Sequence, residues 1–294
     1  MSAPSGITAL TLGAVSIALS VIAAKQAIAD GADTESLLAA RLLVAAPVLV
    51  LLLPLVARAH PRRIGVRPVA VALGAGATLW VGGRAEFEGL ARMPAGMLVV
   101  LLATAPLWVA FISWVASTRV LTRADLLALF SLLTGVAIMA APIGEALDPV
   151  GVLFGLLSAI SFAAFLFILE RNERVAAGLG LVLGMIGAAI VLVITDPGSI
   201  GSLSRGIDPA LVLAIGASAV LWTLFVGRGL GATDSVTTAI VVATEPVFVA
   251  VLAYTLLGEG MSFREIVGGS VALLALASVA LRLRRQGTPS VPVG

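Results

Sequence analysis

The sequence predicts an all-α membrane protein: ten transmembrane helices, arranged as two inverted five-helix repeats, with both termini in the cytoplasm. Three observations predict it. Apolar runs of about 20 residues recur along the chain between short charged loops. Lysine and arginine crowd into alternate loops. A short sequence pattern returns at an offset of 140 residues, nearly half the chain.

Composition sets the class. Hydrophobic residues make up 60% of the 294-residue chain and charged residues 12%, and mean hydropathy is +1.14. Soluble domains carry about 45–50% apolar and about 25% charged residues. So little polar surface cannot clothe a water-soluble particle, and the apolar excess is expected to face a lipid bilayer. The 31 glycines and 14 prolines fit membrane helices, where neighbours re-satisfy freed backbone groups. Cysteine is absent, which excludes disulfides and thiolate chemistry. One loop histidine, His60, offers no metal cluster. The net charge of +2 comes without a basic stripe interleaved with aromatics, so nucleic acid is not an expected partner. No Lys or Arg precedes Lys25, and Gly6–Ala24 is long enough to span; it reads as a retained first helix rather than a cleaved leader.

The ten expected spans are 5–26, 34–56, 67–90, 94–115, 124–141, 148–169, 175–194, 209–229, 234–256 and 263–281. The basic and then Gly/Pro/Ser-rich end, 283–294, is expected to be a disordered cytoplasmic tail. With this division, 12 Lys and Arg lie on one side of the membrane and 5 on the other. The bias puts both termini inside, in the inner (plasma) membrane, and favours an even number of spans.

Ala103-Thr104-Ala105-Pro106-Leu107-Trp108-Val109-Ala110 aligns with Ala243-Thr244-Glu245-Pro246-Val247-Phe248-Val249-Ala250. Thr122-Arg123-Ala124-Asp125 aligns with Ser262-Phe263-Arg264-Glu265 at the same offset. The chain therefore divides into a first repeat, 1–143, and a second, 144–282. Five spans are an odd number, so the second repeat enters from the opposite side. Inverted repeats suit secondary transporters, because exchanging the conformations of the halves converts inward-open into outward-open.

With Pro94-Ala95-Gly96 and Pro106-Leu107-Trp108-Val109-Ala110 in the first half, and Glu245-Pro246-Val247-Phe248, Leu257-Gly258-Glu259 and Gly268-Gly269 in the second, the chain resembles the drug/metabolite transporter superfamily, specifically its EamA-type exporters. Arg41 matches the same habit. One departure is Ser117-Thr118-Arg119, where members often carry Gly-Glu. The resemblance spans nearly the whole chain. It implies ten helices, cytoplasmic termini, a central cavity and export of small metabolites. Within the superfamily the chain is similar to YddG-like exporters, which implies amino acids, aromatic or otherwise apolar, as cargo. Drugs or nucleoside-type metabolites are the alternative.

Several residues are candidates for the site. Pro106 and Pro246 fall mid-span, where a proline removes one hydrogen bond and frees the carbonyl four residues back, at Leu102 and Val242. They read as hinges or substrate contacts, or else as packing kinks satisfied by Thr104 and Thr244. Arg41 and Glu245 are the charges deepest within spans. At about 1.5 Å per residue their depths differ by only a few ångströms, so they are expected to pair. Glu245 reads either as a substrate-ammonium or proton-coupling carboxylate, or as the structural half of that pair. Ser16, Trp80, Leu101, Phe162, Phe165 and Trp222 are the other expected substrate contacts, with lipid-facing or interhelical packing as the rival reading. Trp114 and Tyr254 lie near span ends, where an interfacial belt is expected. Glu86 and Glu88 sit beside Arg84 and Arg92 and read as a solvated cluster or an outer gate. Gly151/Gly155, Gly180/Gly184 and Gly227/Gly231 are spaced for close helix contact.

No P-loop, catalytic constellation, metal set or cofactor signature is present. The expectation is a carrier working by alternating access, a monomer or weak dimer, with its site between spans 1, 3, 4, 6, 8 and 9. A channel or structural membrane protein is the rival of another class. An intramembrane enzyme would need more convergent polar groups than the chain supplies.

Overall fold

The structure is a computed structural model that describes residues 3–58, 65–93, 98, 101–116, 122–140, 148–172, 175–202, 207–258 and 263–286. It is all-helical, with no strand among the described residues. The helices are α1 (Ala3–Ala29), α2 (Thr34–Arg58), α3 (Val66–Leu90), α4 (Ala105–Val115), α5 (Arg123–Ala140), α6 (Pro149–Arg171), α7 (Ala177–Thr195), α8 (Pro209–Leu230), α9 (Ser235–Val242), α10 (Glu245–Leu257) and α11 (Phe263–Gln286), plus a single turn, Ser199–Ser202.

Local sequence accounts for their ends. Asp148-Pro149 and Asp208-Pro209 start α6 and α8: each aspartate accepts a backbone N–H two residues on, at 3.0 and 2.8 Å, and proline occupies the first turn. Asp234 caps α9 through the Thr237 amide at 2.8 Å. Gly258, at φ +67°, stops α10 in the left-handed conformation that glycine adopts without penalty.

Among the described residues, 7 apolar helical segments are long enough to cross a membrane: α1, α2, α3, α6, α7, α8 and the stretch Ser235–Leu256, which comprises α9 and most of α10. The fourth and fifth expected spans hold the shorter apolar helices Ala105–Val115 and Leu126–Ile138. Helix α11 runs on to Gln286, into the stretch expected to be a disordered tail; residues 287–294 lie outside the described residues. Large apolar side chains such as Leu51, Phe130, Leu153, Ile194 and Leu274 cover the outside, a surface suited to lipid.

The helix packing maps onto itself when each span is replaced by its counterpart five spans away. Helix α1 lies along α8, as α6 lies along α3; α3 packs on α7, as α8 packs on α2; α5 packs on α11. Close contacts repeat with the sequence offset. Gly76 of α3 faces the backbone of Gly184 and Ala188 on α7, where a Cβ would lie 2.3 Å from the Gly184 oxygen. Gly216, 140 residues on, faces Val44 on α2, where a Cβ would lie 2.3 Å from the valine Cβ. Gly89 meets Gly151 and Gly155 of α6, and its counterpart Gly229 meets Gly6 and Leu10 of α1. At Gly76, Gly216 and Gly229 a Cβ would come within 2.2–2.3 Å of the facing helix, so these three crossings need glycine.

The fourth and ninth spans break in the same way. Ala103-Thr104 and Ala243-Thr244 form turns, and α4 and α10 begin immediately after them, one residue before Pro106 and Pro246. The threonine hydroxyls donate to the carbonyls of Leu101 and Val241, at 2.6 and 2.7 Å. Each proline has no N–H to return to the residue four back, and each threonine satisfies the carbonyl one position earlier.

Candidate functional site

A cavity of about 120 Å³ lies where the two broken spans come together. Ile17 of α1 and Leu38, Arg41 and Leu42 of α2 contribute to its wall, with Thr78, Leu79, Gly82, Gly83 and Glu86 of α3. Leu102, Ala103 and Ala105 line it at the first break; Ala239, Val242, Ala243, Glu245 and Pro246 line it at the second. Ser158, Ala159 and Phe162 of α6, Met185 of α7, and Ala219 and Trp222 of α8 complete it. Both halves therefore contribute, and the backbone at both breaks borders the same space. Irregular backbone at membrane depth is tolerated where it lines such a cavity.

Among the described residues, three charged groups reach the cavity. Arg41 is 6% exposed. Its Nη1 donates to Glu86 Oε2 at 2.7 Å and its Nη2 to Glu86 Oε1 at 2.8 Å, a two-pronged ion pair between α2 and α3. The guanidinium carbon stands 4.3 Å from the centre of the buried Phe87 ring, so one face of the cation is stacked and its fork is filled. Its Nε is buried without a hydrogen-bond partner. The pair expected from depth alone was Arg41 with Glu245; the structure corrects this to Arg41 with Glu86. Glu86 also leaves the solvated cluster in which the sequence placed it. Glu88, Arg84 and Arg92 do form such a cluster, with Glu88 bonded to Arg92 and Thr34, and Arg84 to Glu35.

Glu245 is the first residue of α10, created as a helix N-terminus by the break at Thr244. That end of the helix favours a negative charge. The side chain is half-buried, lines the cavity and makes no hydrogen bond or ion pair among the described residues. Arg41 and Glu86 are both near enough to act on it electrostatically. The cavity thus carries two carboxylates against one guanidinium, and that guanidinium is already paired.

The remaining wall is apolar apart from the hydroxyl side chains Thr78 and Ser158. Phe162 and Trp222 meet with ring centres 5.9 Å apart at 50°, giving an aromatic surface next to aliphatic Leu38, Leu42 and Leu102.

Of the residues expected in the site, Phe162, Trp222, Glu245 and Pro246 reach the cavity. Ser16 does not line it: its hydroxyl donates to the Leu12 carbonyl at 2.7 Å, and Ile17 lines the cavity instead. Phe165 is fully buried, its ring filling the space left by Gly184 on α7. Leu101 packs into the space at Gly155 while Leu102 takes the lining position. Trp80 packs on the core, its indole N–H buried without a partner, and Pro106 is buried behind the first break. Trp114 and Tyr254 are exposed, as span-end aromatics should be.

Broken helices from both halves around one shared cavity are an arrangement found in membrane transporters. The EamA-like transporter family model matches the chain twice, over residues 4–141 and 149–281; the chain belongs to that family and is a multi-pass membrane transporter built from two EamA repeats. An uncharacterized transporter of Haemophilus influenzae is 34% identical over 129 residues, 40% of this chain and 75% of that protein. A solved crystal structure matches with a TM-score of 0.68 at 15% identity, covering 95% of this chain and 98% of that one; at that identity it speaks to the fold alone.

Proposed function

We propose that the protein is a secondary transporter of the inner membrane that exports small metabolites bearing an ammonium group on an apolar or aromatic body, the class to which apolar amino acids belong. The observation that carries the reading is Glu245: a carboxylate without a partner among the described residues, at a helix break, opening on an aromatic-walled cavity shared by both halves. A charge at membrane depth costs at least about 2.5–3.5 kcal/mol unless it is compensated. A substrate ammonium compensates it, and Phe162 and Trp222 receive the apolar part.

The reading includes ten membrane crossings in two inverted repeats, with both termini cytoplasmic. The exchange of packing partners between spans five apart and the loop-arginine bias support it. Alternating access follows from moving one repeat against the other around the shared cavity. A monomer suffices, since both halves of the site lie in one chain; a weak dimer would not alter it.

The test is uptake into proteoliposomes holding the purified chain, with apolar amino acids, nucleosides and organic cations offered with and without a proton gradient. Saturable uptake of ammonium-bearing apolar solutes is expected. Glu245→Gln is expected to lower kcat/KM about 10–100-fold, the equivalent of the roughly 1.5–3 kcal/mol of a charge-assisted hydrogen bond. Uptake and pH dependence unchanged in Glu245→Gln would remove the carboxylate from the mechanism.

A further inference from the structure

The charges around the cavity discriminate within the proposed cargo class. A zwitterionic amino acid brings a carboxylate as well as an ammonium, and buried carboxylates need a cation or several donors. Among the described residues, Arg41 is the one basic side chain in the lining. Both prongs of its fork are held by Glu86 at 2.7 and 2.8 Å, and one face is covered by Phe87. Of the three N–H groups outside that pairing, the one on Nε is buried without a partner among the described residues. A substrate carboxylate would have to share a guanidinium whose charge Glu86 already balances, with Glu245 as a second acid on the same cavity. An ammonium meets no such obstacle: Glu245 is open to it and unpartnered.

We infer that the cavity selects net-cationic apolar amines, in which a single ammonium sits on an apolar or aromatic body without a free carboxylate, over the zwitterionic amino acids of the same body. This deepens the exporter reading and rests on it. Glu245 is the ammonium contact, the Phe162–Trp222 wall takes the ring, and Glu86 is a specificity residue that acts by keeping Arg41 occupied.

The experiment compares 2-phenylethylamine with phenylalanine, which share the ring and the ammonium and differ by the carboxylate. Uptake of each is measured at pH 7 in proteoliposomes containing the full chain, together with binding of each to the detergent-purified protein. Wild type is expected to favour the amine by at least about tenfold in kcat/KM and in Kd. Equal or better handling of phenylalanine overturns the inference and leaves the exporter reading standing. Failure to bind or move either compound overturns both. Glu86→Gln frees the Arg41 fork and is expected to lower the amine-to-amino-acid ratio, chiefly by improving phenylalanine. A folded Glu86→Gln protein with the wild-type ratio would show that Glu86 does not set the selectivity. If the variant does not fold, the wild-type comparison still decides the main claim.

Discussion

The two halves of the molecule share a packing scheme and differ in where charge is placed. Gly76 and Gly216, Gly89 and Gly229, and the Thr104 and Thr244 breaks do the same work in each half. The charged positions have no such counterparts. At the same 140-residue offset, Arg41 corresponds to Leu181, Glu86 to Val226 and Glu245 to Ala105. Trp222 corresponds to Gly82, and both line the cavity. The repeated residues set matching helix crossings and breaks in each half; the unrepeated ones put charge and an indole ring on the cavity. Packing by small residues depends only on distance and is satisfied twice. On the proposed reading, a single substrate molecule needs its polar contact once.

The largest expected effect comes from breaking the first half's ion pair. Arg41→Leu leaves the half-buried Glu86 without its cation and is expected to destabilise the protein by up to about 3–5 kcal/mol. Thermal unfolding in detergent would report it. Arg41→Leu with Glu86→Val gives the first half the residues of the second, and should recover most of that loss, because an apolar pair of similar volume often matches a buried ion pair. A double variant as unstable as the single one would mean the pair is not an isolated unit.

Moving the carboxylate sharpens the comparison further. In Ala105→Glu with Glu245→Ala the acid stands at the first residue of α4 instead of α10, still facing the cavity. Part of the ammonium uptake lost in Glu245→Ala is expected to return. No recovery in a folded protein would mean that the two breaks are not interchangeable places for the charge.

Smaller effects test the scaffold. Gly76→Ala and Gly216→Ala each force a Cβ to 2.3 Å from a neighbour, and overpacking of this kind costs about 1–3 kcal/mol. Gly76→Ala should be the worse, because its neighbours are backbone atoms of Gly184, Gly187 and Ala188, whereas Gly216 meets the Val44 side chain. Gly74→Ala points into open space and should lose nothing, gaining up to about 1 kcal/mol of helix propensity. The order of unfolding temperatures among the three variants checks this.

Much of the scaffold was legible in the sequence, for a physical reason: span length and the Ala-Thr-x-Pro repeat are local properties. The Thr104 and Thr244 turns follow from a proline whose missing N–H must be accommodated within one helical turn. Side-chain direction was harder to read. Helices apolar on every side give no periodic signal to say which face meets a cavity, so Phe165 was expected in the site along with Phe162, though only Phe162, three residues earlier, lines the cavity, and Leu101 was expected where its neighbour Leu102 lines it. Ser16 went the same way, its hydroxyl being consumed by its own helix. The Arg41–Glu86 pair had a signal that depth alone understated. Arg41 lies 7 residues after the start of α2 and Glu86 4 before the end of α3. In adjacent antiparallel helices that is about 5 Å of difference at about 1.5 Å per residue, within reach of an arginine.

The most direct test of the account is counterflow: proteoliposomes preloaded with unlabelled 2-phenylethylamine, external labelled amine, wild type against Glu245→Gln. The account predicts transient, saturable accumulation driven by the internal amine, and its loss in the variant. Flux linear in concentration, indifferent to internal amine and unchanged by Glu245→Gln, would contradict a carrier with a carboxylate at its centre.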